Sequence, residues 1–306
     1  MRKFIGTTVI LVIVLSFMSC TYMMSNFESS LHLEEADVSE PSILFLKLEG
    51  IIMEGGDFLE DLREYSKQKD IKGVLIQVDS PGGVVGPSQE IYTEIKQIRD
   101  VLKKPVIVSV SGLGASGAYY AAQGANKIFV NAGSLVGSIG VIMEFANLEK
   151  LYEWAKIERY VIKTGAFKDS GAEYRPMRED EKTMFQNLAN EILGQFKRAV
   201  AENRKMKPDA VDAVSDGRVF TGETAVRLGL ADNIGTLRHA QKMIGEMSGL
   251  GAEAELFTPS RKGQKLLDFL AETRASLSIG GVIQGFVSKQ LWGQPLFIMP
   301  QALPAK

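Results

Sequence analysis

Residues 106–122 read VIVSVSGLGASGAYYAA. Val106 to Val110 is a short, almost continuous apolar run, the pattern of a parallel strand buried on both faces. It runs into a turn from Gly112 to Gly117, and Ala118 to Ala125 then reads as a helix of small residues. The same form occurs upstream, where Gly73 to Val78 is apolar and stops at Asp79-Ser80-Pro81-Gly82-Gly83. Working outward, Ile43 to Met53 (ILFLKLEGIIM) reads as a strand, and Phe58, Leu59, Leu62 and Tyr65 fall on one helix face. Pro87 and Ser88 open a helical stripe of Ile91, Ile95, Ile98 and Leu102. Lys127–Asn131, Ile139–Met143 and Arg159–Lys163 are further expected strands, with a helix over Phe145–Lys156 between the last two. Met184, Phe185, Leu188, Ile192, Phe196 and Val200 mark one long amphipathic helix. Asp216 to Gly222 is a turn that opens a helix over Ala225–Leu228, closed by Gly229-Leu230-Ala231-Asp232. Strands alternating with helices predict an α/β fold with largely parallel pairing. No internal repeat is evident, which argues for one principal domain.

The ends of the 306-residue chain differ from its body. Arg2 and Lys3 precede an apolar run from Phe4 to Met18, the layout of a secretory signal. Reading on to Met24 supplies the length of about 20 residues that a membrane span needs. Residues 1–24 are therefore expected to be a signal peptide or membrane anchor. The only cysteine, Cys20, lies where the apolar run ends. It resembles the lipidated cysteine of a bacterial lipobox, although Phe17 and Met18 depart from that pattern; an uncleaved signal anchor is the alternative. Either way the rest of the chain is expected outside the cytoplasm, tethered to a membrane of the bacterial envelope. Residues 25–42 read as a linker, 43–248 as the main domain and 249–306 as a C-terminal extension that packs on the core or on a neighbour. In that extension Leu266, Leu267, Phe269 and Leu270 read as a helix face. Pro295 to Pro300 (PLFIMP) is an apolar tail, for which membrane contact or self-insertion into a peptide groove are alternatives to packing.

A net charge of −2 gives no reason to propose nucleic-acid binding. A single cysteine allows neither an intramolecular disulfide nor a cysteine-based metal site. Two histidines, His32 and His239, leave few candidates for a Ser-His-Asp triad. Ser116 has Gly114 and Gly117 close on either side and a buried strand before it, so a substrate carbonyl can approach its hydroxyl. The Gly117 amide can face an oxyanion. A second donor can come from Gly82 or Gly83, in the turn after the neighbouring strand. Each of these segments alone is equally a plain strand-ending turn. Lys168 in Thr164-Gly165-Ala166-Phe167-Lys168-Asp169 is a candidate base. A lysine acts as a base only when neutral, and burial favours that form. Phe167 and the Gly-Ala step before it suit burial, with the Asp169 carboxylate expected to point away. Taken alone, Lys168 reads as a solvated surface charge.

In combination, DSPGG (79–83), SGLGASGAYYAA (111–122), GSLVGSIGVI (133–142), TGAFKD (164–169) and DGRVFTGETA (216–225) resemble the signal peptide peptidase A family of bacterial membrane-bound serine peptidases. The resemblance covers about Ile43 to Asp232. It implies a fold like that of the Clp protease and crotonase families, with parallel sheets and packed helices. It implies Ser116 as nucleophile and Lys168 as general base. Ser138 matches the serine that orients the lysine, and Gly83 and Gly117 match the oxyanion-hole positions. It also implies a homo-oligomeric ring or dome, no metal or organic cofactor, and substrates that are remnant signal peptides and other unfolded membrane-proximal chains. Thr164 replaces a usual serine, and Ala172-Glu173 replace a common Ser-Pro. The rival readings are a crotonase-type acyl-transfer enzyme, against which a secretion signal argues, and a non-catalytic membrane scaffold.

Overall fold

Strand β1 (Ser42–Ile52) lies parallel to β2 (Ile71–Val84), which lies parallel to β3 (Val106–Ala115). Their side chains alternate between two apolar layers, which is why the sequence reads as unbroken hydrophobic runs. Leu44, Leu46, Val74, Ile76, Val106 and Val108 enter the larger core, whereas Ile43, Leu75 and Ile107 enter the smaller one. This computed structural model describes residues 38–259 and 295–298. The anchor candidate, Cys20 and the expected helix around Leu266–Leu270 lie outside the described residues.

The helices fill the two layers by their apolar stripes. The larger core takes α1 (Gly56–Tyr65) and α2 (Val85–Asp100), through Leu59, Leu62, Ile91, Ile95 and Ile98. It also takes α3 (Gly117–Ala122), buried along its whole length. Further along the chain come α4 (Glu149–Trp154), α5 (Glu179–Arg204), α6 (Pro208–Asp212), α7 (Gly222–Arg227) and α8 (Leu237–Met247). α5 covers α3 with Phe196 and Val200. α8 covers the opposite face with Ala240 and Ile244.

β3 has two successive partners on one edge. Its first half pairs with β4 (Lys127–Val130), and its second half pairs with β5 (Leu135–Gly137). β6 (Val219–Thr221) is antiparallel to β5, β7 (Asn233–Ile234) extends β4, and β8 (Leu256–Phe257) adds to β1. A last short strand, β9 (Leu296–Ile298), is antiparallel to the end of β2. The sheet is thus mostly parallel and the class is α/β, as the alternation of elements predicts. Register shifts between Val78 and Ser80 on β2, and between Glu49 and Ile51 on β1, interrupt the ladders near the ends of these strands.

Several expected elements differ. β2 and β3 do not stop at their glycine-rich turns but run through them, because Ser80 still pairs with Gly114 and Gly82–Val84 pair with β9. Of residues 139–143, only Ile142 bridges to another strand. The expected helix over 145–156 is reduced to α4. Arg159–Lys163 is not a strand: residues 153–168 are exposed throughout, so their apolar side chains have no sheet to cover. Val38 and Ser42 are already buried, so the folded chain begins before Ile43.

Candidate active site

Ser116 sits between the end of β3 and the start of α3, with φ 54° and ψ −118°. A positive φ is rarely adopted by a residue with a Cβ, and this combination is strained by about 1–3 kcal/mol. Neighbouring bonds hold it there: Ser116 N donates to Gly137 O (2.7 Å), and Tyr120 N donates to Ser116 O (2.8 Å). The Tyr119 hydroxyl donates to Leu230 O (2.7 Å) and fixes the buried α3 behind it. The serine is 1% exposed, and its Oγ has no hydrogen-bond partner among the described residues. A buried hydroxyl without a partner is uncommon and calls for a functional explanation.

The end of β2 lies against this turn. Gly82 has φ 92°, which favours glycine, and its N–H is taken by Ser80 Oγ (3.1 Å). Gly83 pairs with Phe297 of β9, as Gly82 pairs with Ile298. A methyl group on Gly82 would lie 2.1 Å from the Phe297 carbonyl oxygen and 2.5 Å from Gly117 N. One on Gly117 would lie 3.0 Å from the same oxygen and 3.1 Å from Gly83 N. The Phe297 oxygen, Gly83 N and Gly117 N therefore cluster around one small space. Of the two glycines in this turn, Gly82 has its N–H taken by Ser80, while Gly83 N lies beside this space.

Ser138 is 4% exposed with φ 52°, and its N–H donates to Arg218 O (2.8 Å). It follows directly on Gly137, whose carbonyl holds Ser116, so Ser116, Gly117, Gly83 and Ser138 are brought to one neighbourhood. Lys168 is not joined to them. It is exposed, as is Phe167, in contrast to the burial expected from the sequence. The turn that carries it is nevertheless anchored at its far side. Asp169 accepts from Tyr174 Oη (3.1 Å) and Arg175 Nε (3.2 Å) and pairs with Lys163. Arg175 in turn reaches Glu181 (2.6 Å), fully buried at the start of α5. Hydrogen bonds from Arg175 and Lys163 hold the Asp169 carboxyl well below the usual carboxylate range. That charge is thus already engaged by two cations.

The profile of peptidase family S49 matches residues 99–250, which span the Ser116 turn, Ser138 and the Lys168 segment. The chain belongs to peptidase family S49. Its fold is of the Clp protease and crotonase type. A candidate protease of Synechocystis sp. is 39% identical over 184 residues, 60% of this chain and 66% of that one. A candidate signal peptide peptidase SppA of Enterococcus faecium is 33% identical, over 66% of this chain and 62% of that one. The chloroplastic serine protease SPPA of Arabidopsis thaliana is 34% identical, over 72% of this chain and 32% of that one. The chain thus spans less than two thirds of the length of these relatives. No helix among the described residues is long and apolar enough to cross a membrane.

Sequence reasoning left two parts of the site unassigned. One is the aromatic wall of Tyr120 and Phe196, which reads as helix core because it is core in periodicity. The other is the pairing of β9 with β2, which the apolar run at Pro295–Pro300 offers only as self-insertion into a groove, one alternative to packing.

Proposed function

We propose that this chain is a membrane-tethered serine endopeptidase that works by acyl transfer. Ser116 Oγ attacks a peptide carbonyl while Lys168, in its neutral form, takes the proton. The amides of Gly83 and Gly117 hold the oxyanion, and Ser138 orients the lysine. Lys168 then protonates the leaving amine, and water hydrolyses the acyl-enzyme. The observation that carries this reading is the Ser116 turn: a strained, buried serine whose hydroxyl has no partner, beside a space ringed by two glycine amides.

The exposed position of Lys168 fits an enzyme completed by assembly. The segment leading to it displays Trp154 (80% exposed), Tyr160 (85%) and Ile162 (102%) to solvent. Large exposed apolar side chains along one segment support an interaction site. A second copy covering it would enclose the Lys168 turn, and low-dielectric surroundings favour a neutral lysine. This supports a homo-oligomer with a ring or dome arrangement. The names of the relatives and the N-terminal apolar run support remnant signal peptides and other extended, membrane-proximal chains as substrates.

The test is cleavage of a fluorogenic, apolar, signal-like peptide by the full chain in detergent, as wild type, Ser116→Ala and Lys168→Ala, with assembly checked by sedimentation. Activity in wild type alone is the expected result. Activity retained by Ser116→Ala rules out the nucleophile, and activity retained by Lys168→Ala rules out the base.

A further inference from the structure

Lys168 is followed in the chain by a carboxylate, and an opposite charge in contact with an ammonium favours its protonated form. A free Asp169 would therefore keep Lys168 from acting as a base. The fold spends that carboxylate elsewhere. Oδ2 accepts from Tyr174 Oη (3.1 Å) and Arg175 Nε (3.2 Å), and Oδ1 is met by Lys163 and by Arg175 Nη2 (3.0 Å). Each oxygen thus meets two donor groups, and an ionised carboxylate has about four lone-pair sites in all. The Asp169 side chain is 12% exposed, so water competes little for these contacts.

Arg175 is itself held from behind. Its Nη1 and Nη2 donate to Glu181 Oε2 (2.9 Å) and Oε1 (2.6 Å), and Nη2 also donates to the Asp169 carbonyl oxygen (3.0 Å). Glu181 is fully buried, and the Arg178 amide donates to it as well (2.9 Å). A planar fork fixed on one carboxylate presents its remaining donors in a set direction. A second guanidinium grips the other side of the turn. Arg178 donates to Ala166 O (3.2 Å) and lies over the Phe167 ring, 5.6 Å from its centroid. These contacts hold residues 166, 167 and 169 and leave Lys168 between them. The charges balance: Lys163, Arg175 and Arg178 stand against Asp169, Glu181 and Asp180, the last paired with Arg178 (2.9 Å). Over the Tyr174 ring, Arg159 is paired with Glu173. The cluster therefore adds no net charge beside the lysine.

We propose that Arg175, set by the buried Glu181, acts with Lys163 to withhold the Asp169 carboxylate from Lys168, and that this withholding leaves the lysine free to serve as a base. This rests on Lys168 being the general base. Arg175, Lys163 and Glu181 are then positioning residues, acting through Asp169 and touching no substrate. A role confined to folding would lower activity equally at every pH. Withholding acts on the protonation of the lysine, so its loss moves the pH at which activity rises and is cancelled by removing the carboxylate.

The experiment uses the full chain in detergent, as wild type, Asp169→Asn, the pair Lys163→Gln with Arg175→Gln, and that pair with Asp169→Asn added. Folding is checked by thermal denaturation. Two quantities are followed across pH: kcat/KM for a fluorogenic peptide, and the rate at which trace acetic anhydride acetylates Lys168, read by mass spectrometry. In the pair, the rise of both with pH should move up by about one unit, so that both fall about tenfold at neutral pH and recover at higher pH. Adding Asp169→Asn should return both to the wild-type pH, and Asp169→Asn alone should leave them there. An unmoved rise in the folded pair overturns the proposal. So does a rise that stays displaced once the carboxylate is gone, which assigns the effect to the lost cations. If the pair does not fold, Asp169→Asn alone decides. A rise moved to lower pH there means that the carboxylate already contacts the lysine and overturns the proposal, and an unmoved rise supports it. Acetylation that shifts while cleavage does not upholds the withholding and removes Lys168 as the base.

Discussion

Gly117→Ala separates a role in chemistry from a role in packing. The added methyl meets two different things. It would lie 2.4 Å from Ser88 Oγ, a buried hydroxyl that donates to Val84 O (2.8 Å). It would also lie 3.0 Å from the position of the Phe297 carbonyl oxygen and 3.1 Å from Gly83 N. The first contact is overpacking, which costs about 1–3 kcal/mol and lowers Tm by about 2–4 °C per kcal/mol for a domain of this size. The second displaces an oxyanion from its donors, and losing one such donor costs about 10²–10³ in kcat. Adding Ser88→Ala removes the hydroxyl that the methyl strikes. That double variant should regain most of the lost Tm, less about 0.5–1.5 kcal/mol for the bond from Ser88 to Val84 O. It should not regain kcat, because the methyl still stands beside the oxyanion space. Thermal denaturation and steady-state cleavage of one fluorogenic peptide, measured on wild type, Gly117→Ala, Ser88→Ala and the double variant, read both effects. If kcat returns together with Tm, the Gly117 amide has no special part in the reaction and the oxyanion assignment is refuted.

Other outcomes follow from the same contacts. Ser116→Gly should abolish peptide cleavage yet raise Tm, since relief of about 1–3 kcal/mol of strain exceeds the glycine entropy cost of about 0.5–1 kcal/mol; a lower Tm would show that φ 54° is not strained in this setting. Phe196→Ala, a fully buried ring touching Tyr119, Tyr120 and Phe297, should cost about 3–5 kcal/mol in chemical denaturation. Glu181 is hydrogen-bonded by Arg175, which lowers its carboxyl from 4.5 to about 2 against its own burial. The stability it contributes is therefore complete above about pH 4.5 and lost as pH falls toward 2, and Glu181→Gln should flatten that part of the acid-denaturation profile. Trp154→Asp together with Ile162→Asp should shift the sedimentation of the full chain to smaller species and reduce peptide cleavage in proportion; an unchanged sedimentation profile excludes this surface as the contact between copies.

What the sequence made legible and what it hid have separate physical causes. Strands β1 to β4 and helices α2 and α5 are legible because each buries an apolar stripe or run of the right period. The extension of β2 and β3 through DSPGG and GLGA is hidden, because glycine and proline usually end strands and the pairing there is made with distant chain, including β9. Residues 139–163 mislead for a related reason. Residues 139–143 and 159–163 read as strands and 145–156 as a helix, but only Ile142 bridges to a strand and the helix shortens to α4. At the site, Ser116 and Gly117 are visible as a small-residue turn after a buried strand, whereas the φ that makes the turn unusual is a property of the folded backbone alone. On the residues alone Gly82 and Gly83 are equivalent and the resemblance alone singles out Gly83; the fold adds that the Gly82 N–H is spent on Ser80.

The two halves of the proposed dyad are held in different ways, and the difference bears on control. Ser116 stands on the innermost part of the sheet, fixed by Gly137, Tyr120 and a wholly buried α3. Lys168 stands on a segment exposed from residue 153 to 168, tied to its surroundings by Arg178 at Ala166 O and, beyond it, by Asp169, Arg175 and Glu181. An acyl-transfer site needs both groups within hydrogen-bond reach. A rigid nucleophile and a base on an exposed arm meet only when something presses the arm inward. The apolar side chains on that arm make a second copy of the chain the natural agent, so activity per chain should fall steeply on dilution below the assembly constant while the Ser116 turn stays folded. Circular dichroism unchanged across a dilution series in which cleavage per chain collapses is the expected signature. Cleavage per chain that is independent of concentration, in chains shown by sedimentation to be single, would mean that Lys168 reaches Ser116 unaided and that the arm serves another purpose.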